Sequence, residues 1–119
     1  MVLDPRKALT PLEQRALYLV LRTDITTALK EGIAKEGLTI EQVAERSGMT
    51  TYHIENILDG DFDFTLLELA ALAHAIGCEM GFDLKPFGTS HQRLAYLRRA
   101  LDLVDPGGVA RAHGPADNR

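Results

Sequence analysis

The chain has 119 residues, of which 45% are apolar, 25% are charged and 6% are aromatic. This length predicts one domain with an accessory element at either end, and the apolar fraction excludes wholesale disorder. The longest uninterrupted apolar run, Ala16 to Leu21, is too short to cross a bilayer, and the N-terminal residues contain no apolar signal core. We therefore expect no membrane association. The single cysteine, Cys78, is typical of a cytoplasmic protein in a reducing compartment.

The net charge of −4 results from 13 basic and 17 acidic residues. This balance argues against a protein that binds polyanions through its overall charge, although it permits a small local anion-binding site. The sequence contains no glycine-rich phosphate loop and no Ser/His/Asp spacing that suggests a nucleophile. We therefore expect neither enzyme activity nor a cofactor, and no metal site.

Four helices are predicted in the first two thirds of the chain, at residues 11–36, 40–47, 51–59 and 66–76. Three of them begin after a threonine that is followed three residues later by Glu or Gln, the pattern of a capping box. Thr50 gives a weaker start signal because residue 53 is His. Each helix is followed by a glycine that can form a C-cap. A bend or break of the first helix is expected near Thr23-Asp24 or Gly32.

After residue 77 the apolar pattern changes its period. Cys78, Met80, Phe82 and Leu84 alternate with polar residues or glycine, which predicts a β-strand that ends at Pro86. A lone strand needs a hydrogen-bonded neighbour, and a second copy of the chain is the simplest one.

A last helix is predicted to begin at Thr89-Ser90-His91-Gln92. A narrow apolar seam runs along one side of this helix, with successive members 3, 4 and 3 residues apart. It is formed by Leu94, Leu97, Leu101 and Val104. The sequence Asp105-Pro106-Gly107-Gly108 stops it, and residues 105–119 are predicted to be a flexible tail.

Two helical stretches, 66–76 and 16–21, carry more apolar surface than one small core can cover. We infer a homodimer. Its candidate contacts are the strand residues Met80, Phe82 and Leu84 and the seam residues Leu94, Leu97 and Leu101. The alternative is that the terminal helices fold back on their own subunit, because apolar patterning does not distinguish burial within a chain from burial between chains.

The most informative segment is residues 38–60, LTIEQVAERSGMTTYHIENILDG. A short helix containing Val43-Ala44 ends at Gly48, a three-residue turn follows, and Met49, Ile54 and Ile57 pack the second helix. In these features residues 25–77 resemble the Cro/C1-type (XRE-like) helix-turn-helix family of DNA-binding proteins. The resemblance implies a mostly α, phage-repressor-like bundle of four to five helices with one short C-terminal β-strand. The resemblance covers the predicted DNA-binding domain (25–77), and the apolar patterns on either side of it predict an N-terminal helical extension (1–24) and a dimerisation region (78–104).

The outer face of the second short helix is the candidate base-reading surface. Ile54 and Ile57, three residues apart, turn one face to the core, and an α-helix fits the major groove of DNA. The resemblance places Thr51, Tyr52 and Asn56 at base-reading positions, and the carboxamide of Asn56 can recognise adenine through two hydrogen bonds. Candidate contacts to the DNA backbone are Arg46, Thr50, His53 and the helix-start amides of Thr39 and Ile40.

The local charge leaves the function open between two interpretations. Residues 39–60 contain four acids and one base, Arg46, so phosphate contacts need more cations; the candidates are Arg22, Lys30, Lys35, Arg93, Arg98 and Arg99. The first interpretation is a sequence-specific transcriptional repressor that binds a palindromic operator in double-stranded DNA as a homodimer. The alternative is an interaction module similar to antitoxins of this family, which bind a toxin protein and their own promoter, since an acidic surface suits a basic toxin.

Overall fold

The computed structural model describes residues 8–104 of the chain. Five helices form within them: α1 (Pro11–Glu36), α2 (Ile40–Ser47), α3 (Thr51–Asp59), α4 (Leu66–Ile76) and α5 (Ser90–Val104). The first four have the bounds that the sequence predicts, and this part of the chain is all-α. None of these helices is both long and apolar enough to cross a membrane. The predicted tail, 105–119, lies outside the described residues.

Threonine side chains define where the helices begin. In the capping boxes of Thr10, Thr39, Thr65 and Thr89, the hydroxyl accepts from the amide three residues on, and the Glu or Gln there accepts from the threonine amide. These bonds are 2.8 to 3.1 Å long. Thr50 makes one of the two bonds, accepting from the amide of His53 at 3.0 Å. Each helix start is therefore specified by residues adjacent in sequence.

The turn between α2 and α3 depends on Gly48. Its φ of 80° lies in the left-handed region, and its amide donates to the carbonyl of Ala44 at 2.9 Å. A Cβ at this position would meet no atom within 4 Å, so glycine is favoured here by backbone conformation and not by lack of space. This turn sets the direction in which α3 leaves α2.

The chain forms two compact units. The first unit, Thr23–Asp83, contains the C-terminal part of α1 together with α2, α3 and α4. The second unit, as far as the structure describes it, comprises residues 8–22 and 84–104.

Helix α1 is continuous through both positions where a bend or break was expected. At the first of them, the Thr26 hydroxyl donates to the Thr23 carbonyl at 3.2 Å inside the helix. At the second, a Cβ on Gly32 would lie 3.0 Å from Cγ2 of Ile76. Gly32 therefore permits close approach of α4 to α1, and that packing keeps the helix intact at a residue of low helix propensity.

The core of the first unit is apolar and joins all four of its helices. Its buried members are Leu29, Val43, Ile54, Ile57, Leu58, Leu69, Leu72, Ala75 and Ile76. Phe62 and Phe64, from the segment between α3 and α4, pack against it. Helix α4 is buried along one side only, since Leu66 and Leu67 at its start are exposed. Part of the apolar surface of residues 66–76 therefore remains uncovered within the described chain.

In the second unit α5 packs on the N-terminal part of α1. Ala16, Val20 and Ala100 are buried together, with Tyr96 and Leu101 against them. Leu97, in the centre of the predicted seam, is only 3% exposed within the single chain, and Leu94 and Leu101 are half-buried. Helix α5 therefore folds back on its own subunit, which is the alternative that the sequence left open. Leu97 belongs to the core of its own chain.

The predicted C-terminal strand does not form among the described residues. Residues 78–89 contain neither helix nor β-ladder, and no backbone hydrogen bond of residues 79–86 forms within residues 8–104. The physical reason is that a strand is stabilised by bonds to a neighbouring strand, and residues 8–104 supply none. Met80, Phe82 and Leu84 are consequently exposed.

Candidate nucleic-acid interface

Helix α3 has one buried and one outward face. Ile54 and Ile57 are fully buried, whereas Tyr52 is 67% exposed. Thr51 and Asn56 are half-buried, and the acidic residues on this face, Glu55 and Asp59, are exposed. The structure therefore brings the three predicted base-reading residues to the outward side of one short helix.

The carboxamide of Asn56 is hydrogen-bonded within its own helix. Its Nδ2 donates to the carbonyl oxygen of Tyr52 at 2.7 Å. Recognition of adenine by Asn requires both a donor and an acceptor on the base edge. Since a carboxamide has two N–H groups, Asn56 can keep the bond to the Tyr52 carbonyl through one N–H and pair with adenine through the other N–H and Oδ1.

An aromatic contact orients Tyr52. Its ring meets Phe62 edge-to-face, with the ring centroids 5.8 Å apart and an interplanar angle of 74°. Phe62 is also in contact with the ring of His53, at a centroid distance of 5.6 Å. Because Phe62 packs against the core, it links the exposed Tyr52 ring to the folded unit.

His53 is engaged by a carboxylate from the next helix. Its Nε2 lies 2.7 Å from Oε2 of Glu68, while Oε1 of Glu68 accepts from the Thr65 amide at 2.8 Å. One carboxylate thus caps α4 and joins α3 to it. The amide of Thr65, and then the contact with His53, hold the pKa of Glu68 below its ordinary value of 4.5. A DNA phosphate would compete with Glu68 for His53.

The lowered pKa of Glu68 predicts a pH-dependent stability. A carboxyl group whose pKa is lower in the folded state stabilises the fold above its unfolded pKa, and that stabilisation is lost as the pH falls through the folded pKa. We expect Glu68→Gln to be less stable than the wild type at about pH 5.5, and the difference to shrink towards about pH 3. Urea unfolding at both pH values measures it.

A second variant, Glu68→Ala, separates the charge of Glu68 from its capping role. Glutamine preserves a capping box, as Gln42 and Gln92 do in this chain. Glu68→Ala removes both contacts and should cost about 1 kcal/mol more than Glu68→Gln at any pH. A gap between wild type and Glu68→Gln that is independent of pH would contradict the role of the carboxylate.

Two of the predicted phosphate-binding cations are engaged with the fold: Arg46, which is exposed, and Arg22, which is buried. The Nη1 of Arg46 donates to the carbonyl of Ala75, in the last turn of α4, at 3.4 Å, where a cation complements the helix dipole. Arg22 is only 8% exposed. The remaining candidates are at the surface, with Lys30, Lys35, Arg98 and Arg99 exposed and Arg93 half-buried.

The start of α2 is similarly occupied. The Thr39 amide donates to the side chain of Gln42 at 2.9 Å, so a phosphate would have to displace that side chain. Ile40 is half-buried and packs against the core. At the start of α3, the hydroxyl of Thr50 lies beside the outward face and accepts from the amide of His53.

Charge is unevenly distributed between the two units. Thr23–Asp83 contains twelve acidic and three basic residues, a net charge of −9. The rest of the sequence contains five acidic and ten basic residues, a net charge of +5. The outward face of α3 therefore lies in the acidic part of the protein.

Sequence reasoning did not predict the contacts that Phe62 and Glu68 make with α3. The capping pattern at the start of the predicted helix 66–76 gives Glu68 a role at that helix start, but it does not point to His53, and no pattern in the sequence connects Phe62 with Tyr52. These pairs are ten and fifteen residues apart, so tertiary packing alone brings them together. Comparison with known proteins adds no relative, since no family model, curated protein or solved structure matches this chain.

Proposed function

We propose that this protein is a sequence-specific DNA-binding transcriptional regulator that represses a promoter by binding a palindromic operator as a homodimer. The observation that carries the proposal is the pair α2 and α3, joined by a turn at left-handed Gly48, with α3 buried on one side and polar on the other. A helix presented in this way fits the width of the major groove.

The outward side of α3 offers chemistry suited to base edges. Thr51 and Tyr52 supply hydroxyl groups, and Asn56 supplies a carboxamide that can pair with adenine. At the start of α2, the Thr39 amide can bind a phosphate without a basic side chain once the phosphate has displaced the side chain of Gln42. In this proposal the base contacts provide discrimination, and a small number of phosphate contacts fixes the register.

Selection from a randomised library of DNA duplexes in dilute buffer tests the proposal. We expect enrichment of an inverted repeat with half-sites about one helical turn apart, as dimer symmetry requires. We also expect a shallow salt dependence, because the slope scales with the number of phosphates neutralised. The absence of any enriched sequence at low salt would refute DNA recognition.

A second function is favoured by the charge of −9 on Thr23–Asp83. An acidic surface of this size attracts a basic protein more readily than it attracts DNA. The corresponding role is that of an antitoxin-like module, which binds a small basic toxin and also controls its own promoter. Capture of a small basic protein encoded beside this chain would support it.

Neutralising the exposed acids of α3 distinguishes the two functions. We expect the double variant Glu55→Gln/Asp59→Asn to bind DNA roughly threefold to tenfold more tightly, because two repulsive charges leave the proposed interface. The same variant should bind a basic protein partner more weakly if that partner uses this face. Fluorescence anisotropy with labelled duplex, and with the labelled partner, measures both.

Glu31→Gln/Glu36→Gln is the matched control. It removes the same charge from exposed positions of α1 in the same unit. An equal gain in DNA affinity for both double variants would mean that only the overall charge matters and that α3 is not at the interface.

A further inference from the structure

Residues 78–86, in the segment that connects α4 to α5, carry three exposed large apolar side chains. Phe82 and Leu84 are 79% and 82% exposed, and Met80 is 41% exposed. These side chains alternate with Glu79, Gly81, Asp83 and Lys85, so a strand made from them would have one apolar and one polar face. The segment has the composition of a strand, and within residues 8–104 it has no ladder.

We infer that residues 78–86 pair antiparallel with the same residues of a second copy, in the single register that places Phe82 on the two-fold axis. The inference rests on the homodimer of the proposed function and names its contact. In this register Met80 faces Leu84 of the partner subunit, and the two copies of Phe82 face each other. The strand pairing involves only residues 78–86 of one subunit and residues 78–86 of the other.

Charge selects this register among the four that centre the pair on one of residues 80–83 and keep the apolar residues on one face; centring it on Asp83 would place the two copies of Asp83 opposite each other. Centring the pair on Phe82 places Glu79 opposite Lys85 twice, once on each side of the axis. Centring it on Gly81 places Glu79 opposite Asp83, which puts like charges together twice. Centring it on Met80 leaves Glu79 opposite Gly81 and gains no ion pair.

The ends of the segment select the same register. Helix α4 is terminated by Gly77, whose φ is 90°, and Pro86 cannot donate to a ladder. With Phe82 at the centre, Cys78 lies opposite Pro86, so the ladder fills the interval between these two limits. With Gly81 at the centre, Pro86 would face Ile76, and with Met80 at the centre, Leu84 would face Ile76. Ile76 is helical and buried, so it cannot join a ladder.

Self-complementarity identifies the occupant as a second copy of this chain. An isologous contact requires a surface that complements itself, and the segment supplies both the apolar side and the opposite charges from its own residues. The seam of α5, the other predicted dimer contact, has Leu97 buried inside its own chain. Among the six predicted dimer contacts, the exposed ones are therefore Met80, Phe82 and Leu84 of this segment.

Single cysteines measure the register directly. In the full-length chain with Cys78 replaced by serine, we would introduce Met80→Cys, Gly81→Cys or Phe82→Cys and follow disulfide-linked dimers under mild oxidation. Directly opposite residues have Cα atoms about 4.5–5.5 Å apart, within the reach of a disulfide. In the Phe82-centred register two residues 80 are about 14 Å apart and two residues 81 about 7–8 Å apart.

We expect position 82 to cross-link fastest, well above an exposed control cysteine at Gln14→Cys. Fastest cross-linking at 80 or 81 would overturn the register. Equally slow cross-linking at positions 80, 81 and 82 and at the control would overturn the pairing, if the dimer affinity of Glu79→Lys is also unchanged from that of the wild type. The assay contains no DNA, so its result is independent of whether an operator exists.

Charge reversal gives a second measurement that leaves the apolar face intact. We expect Glu79→Lys to weaken the dimer roughly tenfold in sedimentation equilibrium, because two attractive pairs become repulsive. The double variant Glu79→Lys/Lys85→Glu should return to within about threefold of the wild type. A tighter dimer for Glu79→Lys would indicate the Gly81-centred register. An unchanged dimer affinity would indicate the Met80-centred register or no pairing. Either result overturns the inference.

Discussion

Truncation of Ile54 to alanine is expected to lower the free energy of unfolding by about 2–5 kcal/mol. Ile54 is fully buried in the core of Thr23–Asp83, between the polar outward side of α3 and the helices that support it. Removal of its branched side chain loses apolar burial and leaves a cavity that a close-packed core fills incompletely. Urea unfolding followed by circular dichroism measures the change.

Glu55→Ala provides the control for Ile54→Ala on the same helix. Its side chain is exposed, so its removal should change stability by no more than about 0.5 kcal/mol. A loss below about 1 kcal/mol for Ile54→Ala would show that α3 is not held to the unit through its buried side. The outward direction of Tyr52 and Asn56 would then lose its structural basis.

Asn56→Ala should weaken binding to the selected operator by about 1–3 kcal/mol, which is roughly a 5- to 150-fold loss of affinity. The physical reason is the loss of a side chain that pairs with both a donor and an acceptor on one base. The hydrogen bond from Asn56 to the Tyr52 carbonyl is exposed and local, so its loss has little effect on the fold. Competition with operator and scrambled duplexes measures the affinity ratio.

The discriminating quantity for Asn56→Ala is the ratio of specific to non-specific binding. A base-reading role predicts a lower affinity for the operator and an unchanged affinity for the scrambled duplex. Gln14→Ala, at an exposed position of the other unit, should leave both unchanged. An equal loss on both duplexes would assign Asn56 to backbone binding or to folding and not to base recognition.

The helical framework was predictable from the sequence because its signals are local. A threonine hydroxyl and a Glu or Gln three residues on satisfy amides that lie beside them, and a glycine adopts the left-handed conformation that ends a helix. The spacing of Ile54 and Ile57 likewise determines which side of α3 is outward, since both lie on one side of a 3.6-residue period. These interactions involve residues within four positions of each other.

The contacts that modify the candidate site were not predictable in this way. His53 meets Glu68 and Arg46 meets the carbonyl of Ala75 because α2, α3 and α4 pack on a shared core. The apolar pattern of α5 is equally compatible with burial in its own subunit or in a partner, and the folded chain buries Leu97 within itself. Apolar side chains gain the same transfer free energy in either environment, so packing geometry, and not the pattern, decides between them.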